Sequence, residues 1–197
     1  MTGLRKSSEE RREELVKAAM AVAMAEGLEN VTGRKVAARA GLSSGLVFFH
    51  FDGRTALLEA VLDGLLENIF GTFVVPPGAD ANERMIEFLR QRIERLRAER
   101  RQIELFVDFW VMGVREPGIR KRMREGLERY RELLRPVAAD VARGREPMTG
   151  DGLAQVAVSF VLGLALQVVM DSGRVDAAES LLTVRELLAP TAKAVRA

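Results

Sequence analysis

The segment from Thr32 to Phe51, TGRKVAARAGLSSGLVFFHF, holds the residues whose types and spacing best suit binding chemistry. Its three cations are Arg34, Lys35 and Arg39, and no acidic residue lies between positions 30 and 51. The whole chain of 197 residues has a formal net charge of only +2, so this basic character is local. Hydroxyl groups next to clustered cations favour contact with a polyanion such as nucleic acid.

The spacing within this segment predicts two short helices that cross at a tight turn. Ala37 supplies a small residue where the helices touch, and Gly41 tolerates the positive φ that the turn needs. Val47 is placed to point back into the first helix of the pair, and Val36 and Leu42 add apolar contacts. Thr32 is a good N-cap for the first of these helices, and Ser43 or Ser44 caps the second.

A longer run, from about Arg12 to Leu62, resembles the DNA-binding domain of the TetR family. The resemblance rests on residues in one continuous register: Ala18-Ala19, Gly27, Val31-Thr32, Val36-Ala37, Ala40-Gly41-Leu42-Ser43, Gly45, His50-Phe51, Arg54, Leu57 and Leu58. It implies that the third helix of the chain enters the major groove of DNA. The DNA contacts expected from residue type and from this resemblance are Thr32, Gly33, Arg34, Ser43, Ser44, Gly45, Leu46, Phe48, Phe49, His50 and Arg54.

Each of these contacts has an expected role. Gly45 lets the helix backbone approach the groove closely, and the serines can bond to phosphates or base edges. Leu46 suits a thymine methyl group. The first amides of the helix capped by Thr32 suit a phosphate, and Arg54 holds another where the family usually has lysine.

Three positions leave alternatives open. The family usually has a hydroxyl-bearing aromatic at Phe48 or Phe49, so these rings either make van der Waals contacts with DNA or pack inside. Leu46 cannot form hydrogen bonds to bases, and Arg34 either compensates for this from the preceding helix or is an ordinary solvated arginine. His50 is the only histidine in the chain, and phosphate contact is favoured for it over a packing role.

Helical patterns continue to the end of the chain and predict an all-α fold. Ser7 and Glu10 form a capping box for a first helix over about 8–26, and a long amphipathic helix follows over about 54–72. Further helices are expected at about 81–100, 101–114, 119–141, 153–171 and 177–194, with Pro117-Gly118 as a break and Pro190 either kinking the last helix or ending it early. The expected domains are 1–53, a helix-turn-helix domain, and 54–197, an effector-binding and dimerisation domain connected through helix 54–72.

The C-terminal two-thirds contain no motif of chemistry. No phosphate loop, nucleophile elbow or metal-ligand spacing appears there, so we expect neither an enzyme nor a cofactor or metal, and the chain has no cysteine. TetR-like proteins usually hold an effector pocket among these helices, and apolar side chains would make its ligand hydrophobic. The candidate lining residues, for which plain helical core is the alternative, are Phe70, Phe73, Phe88, Phe106, Phe109, Trp110, Met123, Tyr130 and Phe160.

The stretch from Leu153 to Met170 carries no charge over 18 residues, the lower limit for a membrane span. Gln155, Ser159 and Gln167 interrupt it, so a buried helix is favoured and no membrane partner is expected. The family resemblance puts a homodimer interface on the last two helices. The favoured function is a cytoplasmic repressor that a hydrophobic small molecule releases from double-stranded operator DNA. A regulator without an effector and an all-α enzyme acting on an apolar substrate are the alternatives.

Overall fold

A computed structural model of the chain describes residues 7–71, 80–171, 173 and 176–189. Across these ranges every regular element is helical, which confirms the predicted all-α fold. The α-helices are α1 Ser8–Glu26, α2 Gly33–Ala40, α3 Ser44–His50, α4 Gly53–Phe70, α5 Ala81–Ala98, α6 Arg100–Gly113, α7 Pro117–Ala142, α8 Gly150–Asp171 and α9 Ala177–Leu188. A single 3-10 turn, Leu28–Asn30, lies between α1 and α2.

The predicted capping residues set the helix ends near the N-terminus. The Ser7 hydroxyl accepts a hydrogen bond from the Glu10 amide at 3.1 Å, and the Glu10 carboxylate accepts one from the Ser7 amide at 2.6 Å. This reciprocal pair satisfies two amides that would otherwise lack partners at the start of α1. α1 therefore begins where the sequence predicted, and Gly27 ends it.

One break that the sequence predicted, at Pro117, falls differently in the structure. Pro117 is the first residue of α7 rather than part of a break, because proline at a helix start loses no hydrogen bond and has a suitable φ. α9 ends at Leu188, and Pro190, which was expected to end it, lies outside the described residues. The long fourth helix runs over Gly53–Phe70, close to the predicted range of 54–72.

The first compact unit comprises Met1–Gly71 and Glu104–Gly126. Its core contains the apolar face of α4, with Leu57, Leu62 and Leu65 fully buried, and α4 packs on α1. The first part of α7 lies against α4, where the Arg122 guanidinium pairs with the carboxylates of Glu59, at 3.0 Å, and Asp63.

The second unit comprises Thr72–Ile103 and Leu127–Ala197. Within it α5 packs against α8 and α9, and an ion pair of 2.7 Å joins Arg84 of α5 to Asp140 of α7. The two units are defined by which residues contact each other in space. The domain boundary expected at residue 53 stays a prediction.

Helix α8 is long and apolar enough to cross a membrane by length and composition, and 44% of its apolar stretch is buried in the fold. Helices in protein cores pass the same test. Val158, Val161 and Leu164 are among its buried residues, whereas Val156, Leu166 and Met170 are exposed. α8 therefore packs one side into the second unit and leaves an apolar side uncovered in the single chain.

Gly126 allows α7 to approach α4 closely, and its replacement tests this packing. A Cβ built at Gly126 would lie 2.7 Å from Cδ1 of the buried Leu66. We expect Gly126→Ala to be about 1–3 kcal/mol less stable than Gly64→Ala, because both gain the helix preference of alanine but only the first makes the core shift to admit the methyl group. Gly64→Ala in α4 is the control, since its Cβ would meet only atoms at 3.8 Å and alanine favours helix by about 1 kcal/mol. Urea unfolding measures both, and equal stability of Gly126→Ala and Gly64→Ala would contradict this packing.

Candidate nucleic-acid interface

Helices α2 and α3 form the predicted helix-turn-helix. Gly41 ends α2 with φ 68°, in the left-handed region that glycine adopts without strain, and its amide and that of Leu42 bond back to the last turn of α2. Ala37 of α2 and Val47 of α3 are both buried, as the predicted crossing requires. These contacts hold α3 with one side in the core of the first unit and the other side in solvent.

Two capping hydroxyls lie at the starts of these helices. Thr32 Oγ1 accepts a hydrogen bond from the Lys35 amide at 3.3 Å, and Ser43 Oγ accepts one from the Leu46 amide at 3.4 Å. Because a hydroxyl that accepts still has a proton to donate, both exposed side chains remain able to donate to a phosphate oxygen. Their expected DNA contacts are therefore compatible with capping and stay predictions.

Gly45 lies in the first turn of α3 and is exposed. A Cβ at this position would meet only Ser43 Oγ, at 3.9 Å, so the fold leaves open space there. Its φ is not in the left-handed region, so neither packing nor backbone conformation requires glycine. What glycine does provide at this position is a smooth outer surface, which is what a close approach to a DNA groove needs.

Phe48 and Phe49 are exposed by 65% and 77%, so neither ring packs inside the protein. The Phe48 ring lies beside Gly33 at the start of α2, where a Cβ would come within 3.3 Å of its Cζ. Phe49 contacts the half-buried His50 edge to face, with ring centroids 5.1 Å apart. The outer side of α3 therefore presents apolar rings, and the remaining predicted residues Ser44 and Leu46 are half-buried beside them.

The three cations of the segment differ in what surrounds them. The Lys35 ammonium donates to Glu26 Oε2 and to Asn30 Oδ1, each at 2.6 Å, so α1 partly neutralises it. Arg34 and Arg39 are exposed and have no polar partner among the described residues. Arg34, which was expected to contact DNA, is thus not paired with a carboxylate among the described residues.

Arg54 at the start of α4 has a role that sequence reasoning missed. Its Nη2 donates to the Leu28 carbonyl at 2.6 Å and its Nε donates to the Val31 carbonyl at 3.1 Å. These bonds tie the start of α4 to the segment between α1 and α2. The phosphate contact expected of Arg54 stays a prediction, and it would have to involve the remaining donors of the guanidinium.

Five of the residues predicted to line an effector pocket lie in the first unit. Phe106 contacts Phe70 at 5.8 Å and Trp110 at 5.9 Å between ring centroids, which makes a row of three rings. Phe109 and Met123 are buried, whereas Trp110 is nearly half-exposed. Asp108 is exposed, and partial burial followed by repulsion from Glu29 and Glu104 raises the pKa of its carboxyl.

Three other predicted pocket residues lie in the second unit. Phe88 and Tyr130 are buried with their ring centroids 5.7 Å apart, and Phe160 on α8 is half-buried. Sequence reasoning missed Arg92, which is only 3% exposed and lies over both rings at 5.2 and 5.4 Å. Its position four residues after Phe88 on the apolar face of α5 was a signal for burial. Phe73, the remaining predicted residue, lies outside the described residues.

The buried ring pair changes the electrostatics of this part of the second unit. Desolvation lowers the pKa of the Arg92 guanidinium and raises that of the Tyr130 phenol. Interaction with the two ring faces offsets part of the cost of burying the cation. Over the described ranges, no group of three His, Asp or Glu side chains is placed to hold a metal ion.

Two family models match the chain, and together they include both the helix-turn-helix and the helices that follow. The model of bacterial regulatory proteins of the tetR family matches residues 15–61, and that of the BetI-type transcriptional repressor C-terminal region matches residues 81–192. Both models describe regulators of transcription and not enzymes, in agreement with the helix-turn-helix of α2 and α3. The chain belongs to the TetR family of DNA-binding transcriptional regulators.

Curated relatives and solved structures agree with this assignment. The chain is 28% identical to the regulator BetI 1 of Chromohalobacter salexigens over 73% of this chain and 76% of the relative. It is 28% identical to the repressor KstR2 of Rhodococcus jostii, a match that spans only about half of each chain. A TetR-family member from Streptomyces coelicolor A3 superposes with a TM-score of 0.70 at 25% identity, covering 92% of this chain and 99% of that one. The multidrug binding protein EbrR in complex with imidazole superposes with a TM-score of 0.66 at 25% identity, covering 92% and 96%.

Gly45 offers the sharpest test of the interface, because its replacement changes the outer surface of α3 and little else. We expect Gly45→Ala to fold at least as stably as the wild type and to weaken operator binding by about 1–3 kcal/mol. Gly45→Asp adds a negative charge and should weaken it further. The measurement is fluorescence anisotropy with an operator selected from a random duplex pool by the wild-type protein.

Gly64→Ala provides the matched glycine replacement on a helix outside the interface and should leave operator affinity unchanged. Wild-type affinity of a folded Gly45→Asp variant would show that α3 does not face the groove as predicted. Arg54→Ala is a poorer probe, because it also removes the two bonds to backbone carbonyls that hold the start of α4.

Proposed function

We propose that this regulator is a homodimeric repressor that binds a pseudo-palindromic operator and leaves it when an apolar small molecule binds. The observation that carries the DNA part is the outer side of α3, where open space at Gly45 adjoins two exposed rings and uncovered hydroxyls. In a two-fold symmetric dimer each chain presents one such helix to one half-site. We expect the protein in the cytoplasm, where its operator DNA lies.

The proposed dimer interface is the uncovered side of α8 together with α9. Exposed apolar side chains occur on both helices: Val156, Leu166, Met170, Leu182 and Leu187. A helix that buries one apolar side and exposes another needs a second partner to cover it. Two copies of this pair of helices form a self-complementary four-helix contact under two-fold symmetry.

Leu166→Arg tests the dimer directly. Leu166 is 49% exposed in the single chain, so the variant should fold, whereas Leu164 is buried and its replacement would test the core instead. An unpaired arginine in the interface should cost several kcal/mol and yield monomers in sedimentation velocity.

Leu133→Arg on α7 is the matched control, since Leu133 is similarly exposed, by 43%, and lies outside the proposed interface. We expect this variant to sediment as the wild type does. A wild-type protein that is monomeric at micromolar concentration would refute the homodimer.

The proposed effector is a hydrophobic small molecule, as the aromatic rings of the predicted pocket residues favour. The multidrug binding protein EbrR has been crystallised with imidazole and with proflavin. These complexes of a structurally similar protein support a search for a small-molecule ligand of this chain. A ligand can shift operator binding only through its different affinities for the two states of the protein, typically by 1–3 kcal/mol.

A screen of hydrophobic compounds by operator anisotropy and melting temperature tests the effector. We expect at least one compound to raise the melting temperature and to weaken operator binding by about tenfold to a hundredfold. Trp110 is the only tryptophan in the chain, so its fluorescence reports whether the compound changes the ring row of the first unit. Trp110→Ala should then alter the ligand response more than the operator affinity without ligand. Ligands that raise the melting temperature but leave operator binding unchanged would exclude this switch.

A further inference from the structure

A groove of about 660 Å³ lies between α1 and α4, entirely within the first unit. Its two walls are single helix faces. The lining residues of α1 lie between Glu9 and Met24, and those of α4 lie between Ala60 and Asn68, each set with the spacing of one helix face. The volume is within the range of small-molecule sites, about 300–1,000 Å³. None of the residues assigned above to DNA contact or to the effector lines it.

The floor of the groove is apolar and adaptable. Val16, Met20, Met24 and Ala60 line it, and both methionines have unbranched side chains that adjust to differently shaped ligands. Met24 and Val16 are half-buried, so part of their surface remains available to a ligand. An apolar body bound between the helices would therefore be covered from both walls.

Gly64 makes the groove deeper without being needed by the fold. It lies inside α4, where glycine is less favourable than alanine, and its φ is helical rather than left-handed. A Cβ at this position would be 3.8 Å from Met20 Cε and from Val16 Cγ1, an ordinary contact distance, so the packing has room for a side chain. The missing side chain thus leaves space in the groove rather than relieving a clash.

The rim of the groove is negatively charged. It carries four carboxylates, from Glu9, Glu13, Asp63 and Glu67, against the two cations Arg12 and Lys17. The ion pair of Lys17 with Glu13 is long, at 3.9 Å, and Asp63 is held by Arg122.

After these pairs the rim keeps the two anions Glu9 and Glu67 and the cation Arg12, an excess of one negative charge. The Arg12 guanidinium lies over the Phe51 ring, 5.2 Å from its centroid. Glu9 and Glu67 are exposed and form no ion pair among the described residues. Their charge is therefore available to a cation bound at the apolar floor.

We propose that this groove binds organic cations with an apolar body, such as quaternary ammonium or phosphonium compounds. The methionine-lined floor covers the body, and the carboxylate rim attracts the positive charge. The site belongs to the DNA-binding unit and does not depend on the effector proposed above. Because carboxylates outnumber cations on the rim, we expect an anionic ligand of the same shape to bind more weakly than the cation.

Tetraphenylphosphonium and tetraphenylborate test the charge requirement, because they have nearly the same shape and opposite charges. Full-length protein is titrated with each by calorimetry. Methionine methyl groups labelled with carbon-13 then locate the binding by nuclear magnetic resonance. We expect the phosphonium to bind at least about tenfold more tightly than the borate and to shift the methyl signals of Met20 and Met24. The methyl signal of Met85, buried in the second unit, should stay unchanged.

Two sets of variants make the assignment specific. Gly64→Leu fills the groove and should weaken phosphonium binding at least about tenfold. Glu9→Gln with Glu67→Gln should weaken it several-fold at low salt and less at high salt, because exposed charges are screened. Glu132→Gln with Glu146→Gln removes the same charge at exposed positions outside the groove and should leave binding unchanged.

Three outcomes would overturn the proposal. The first is that the protein binds the phosphonium and the borate equally tightly. The second is that the methyl signals of Met20 and Met24 do not shift at saturating phosphonium. The third is that the double variant Glu9→Gln with Glu67→Gln binds the phosphonium as tightly as the wild type does. The glutamine variants keep the test valid even if Gly64→Leu fails to fold, because they alter only exposed side chains. A melting curve of each variant without ligand establishes that it is folded.

Discussion

The burial of Val47 is the interaction on which the DNA-binding surface depends. Helix α3 has only seven residues, and an isolated helix of that length is not stable in water. Its position is therefore fixed by what it buries, with Val47 in the helix and Phe51 directly after it. Ala37 leaves room for α3 to approach α2 closely, and Gly41 supplies the turn between them. Every residue on the outer side of α3 is placed by these contacts on its inner side.

Glycines serve three different purposes in the first unit, and the structure separates them. Gly41 is needed for its left-handed backbone, and Gly126 for the close approach of Leu66. Gly45 is required by neither packing nor backbone, since open space surrounds its missing side chain. Glycine therefore has a structural role at Gly41 and Gly126, whereas at Gly45 the fold does not explain it, in agreement with the predicted contact with DNA.

Local signals in the sequence were enough to predict most of the helix-turn-helix. The capping box at Ser7, the caps at Thr32 and Ser43 and the turn at Gly41 all depend on residues a few positions apart, and the structure has each of them. Pro117 was misread because proline both interrupts helices and begins them, and only the residues that pack on the following turn distinguish the two.

Contacts between distant parts of the chain could not be predicted in this way. The bonds from Arg54 to the Leu28 and Val31 carbonyls join residues more than 20 positions apart. The burial of Arg92 over Phe88 and Tyr130 depends on the packing of α7 against α5. The association of residues 104–126 with the helix-turn-helix likewise depends on contacts between parts of the chain that are distant in sequence. The sequence indicated which faces are apolar but not which partner covers each of them.

The exposed rings of Phe48 and Phe49 have a consequence for the thermodynamics of recognition. If α3 enters a groove as predicted, water must leave these rings, and the removal of apolar surface from water gives a negative change in heat capacity. A hydroxyl at either ring would instead donate to a phosphate. With the predicted contact, part of the affinity would depend on dehydration rather than on charge, and this part would vary with temperature more than with salt concentration. Temperature would then be a second variable, besides salt, that sets how tightly the regulator binds its DNA.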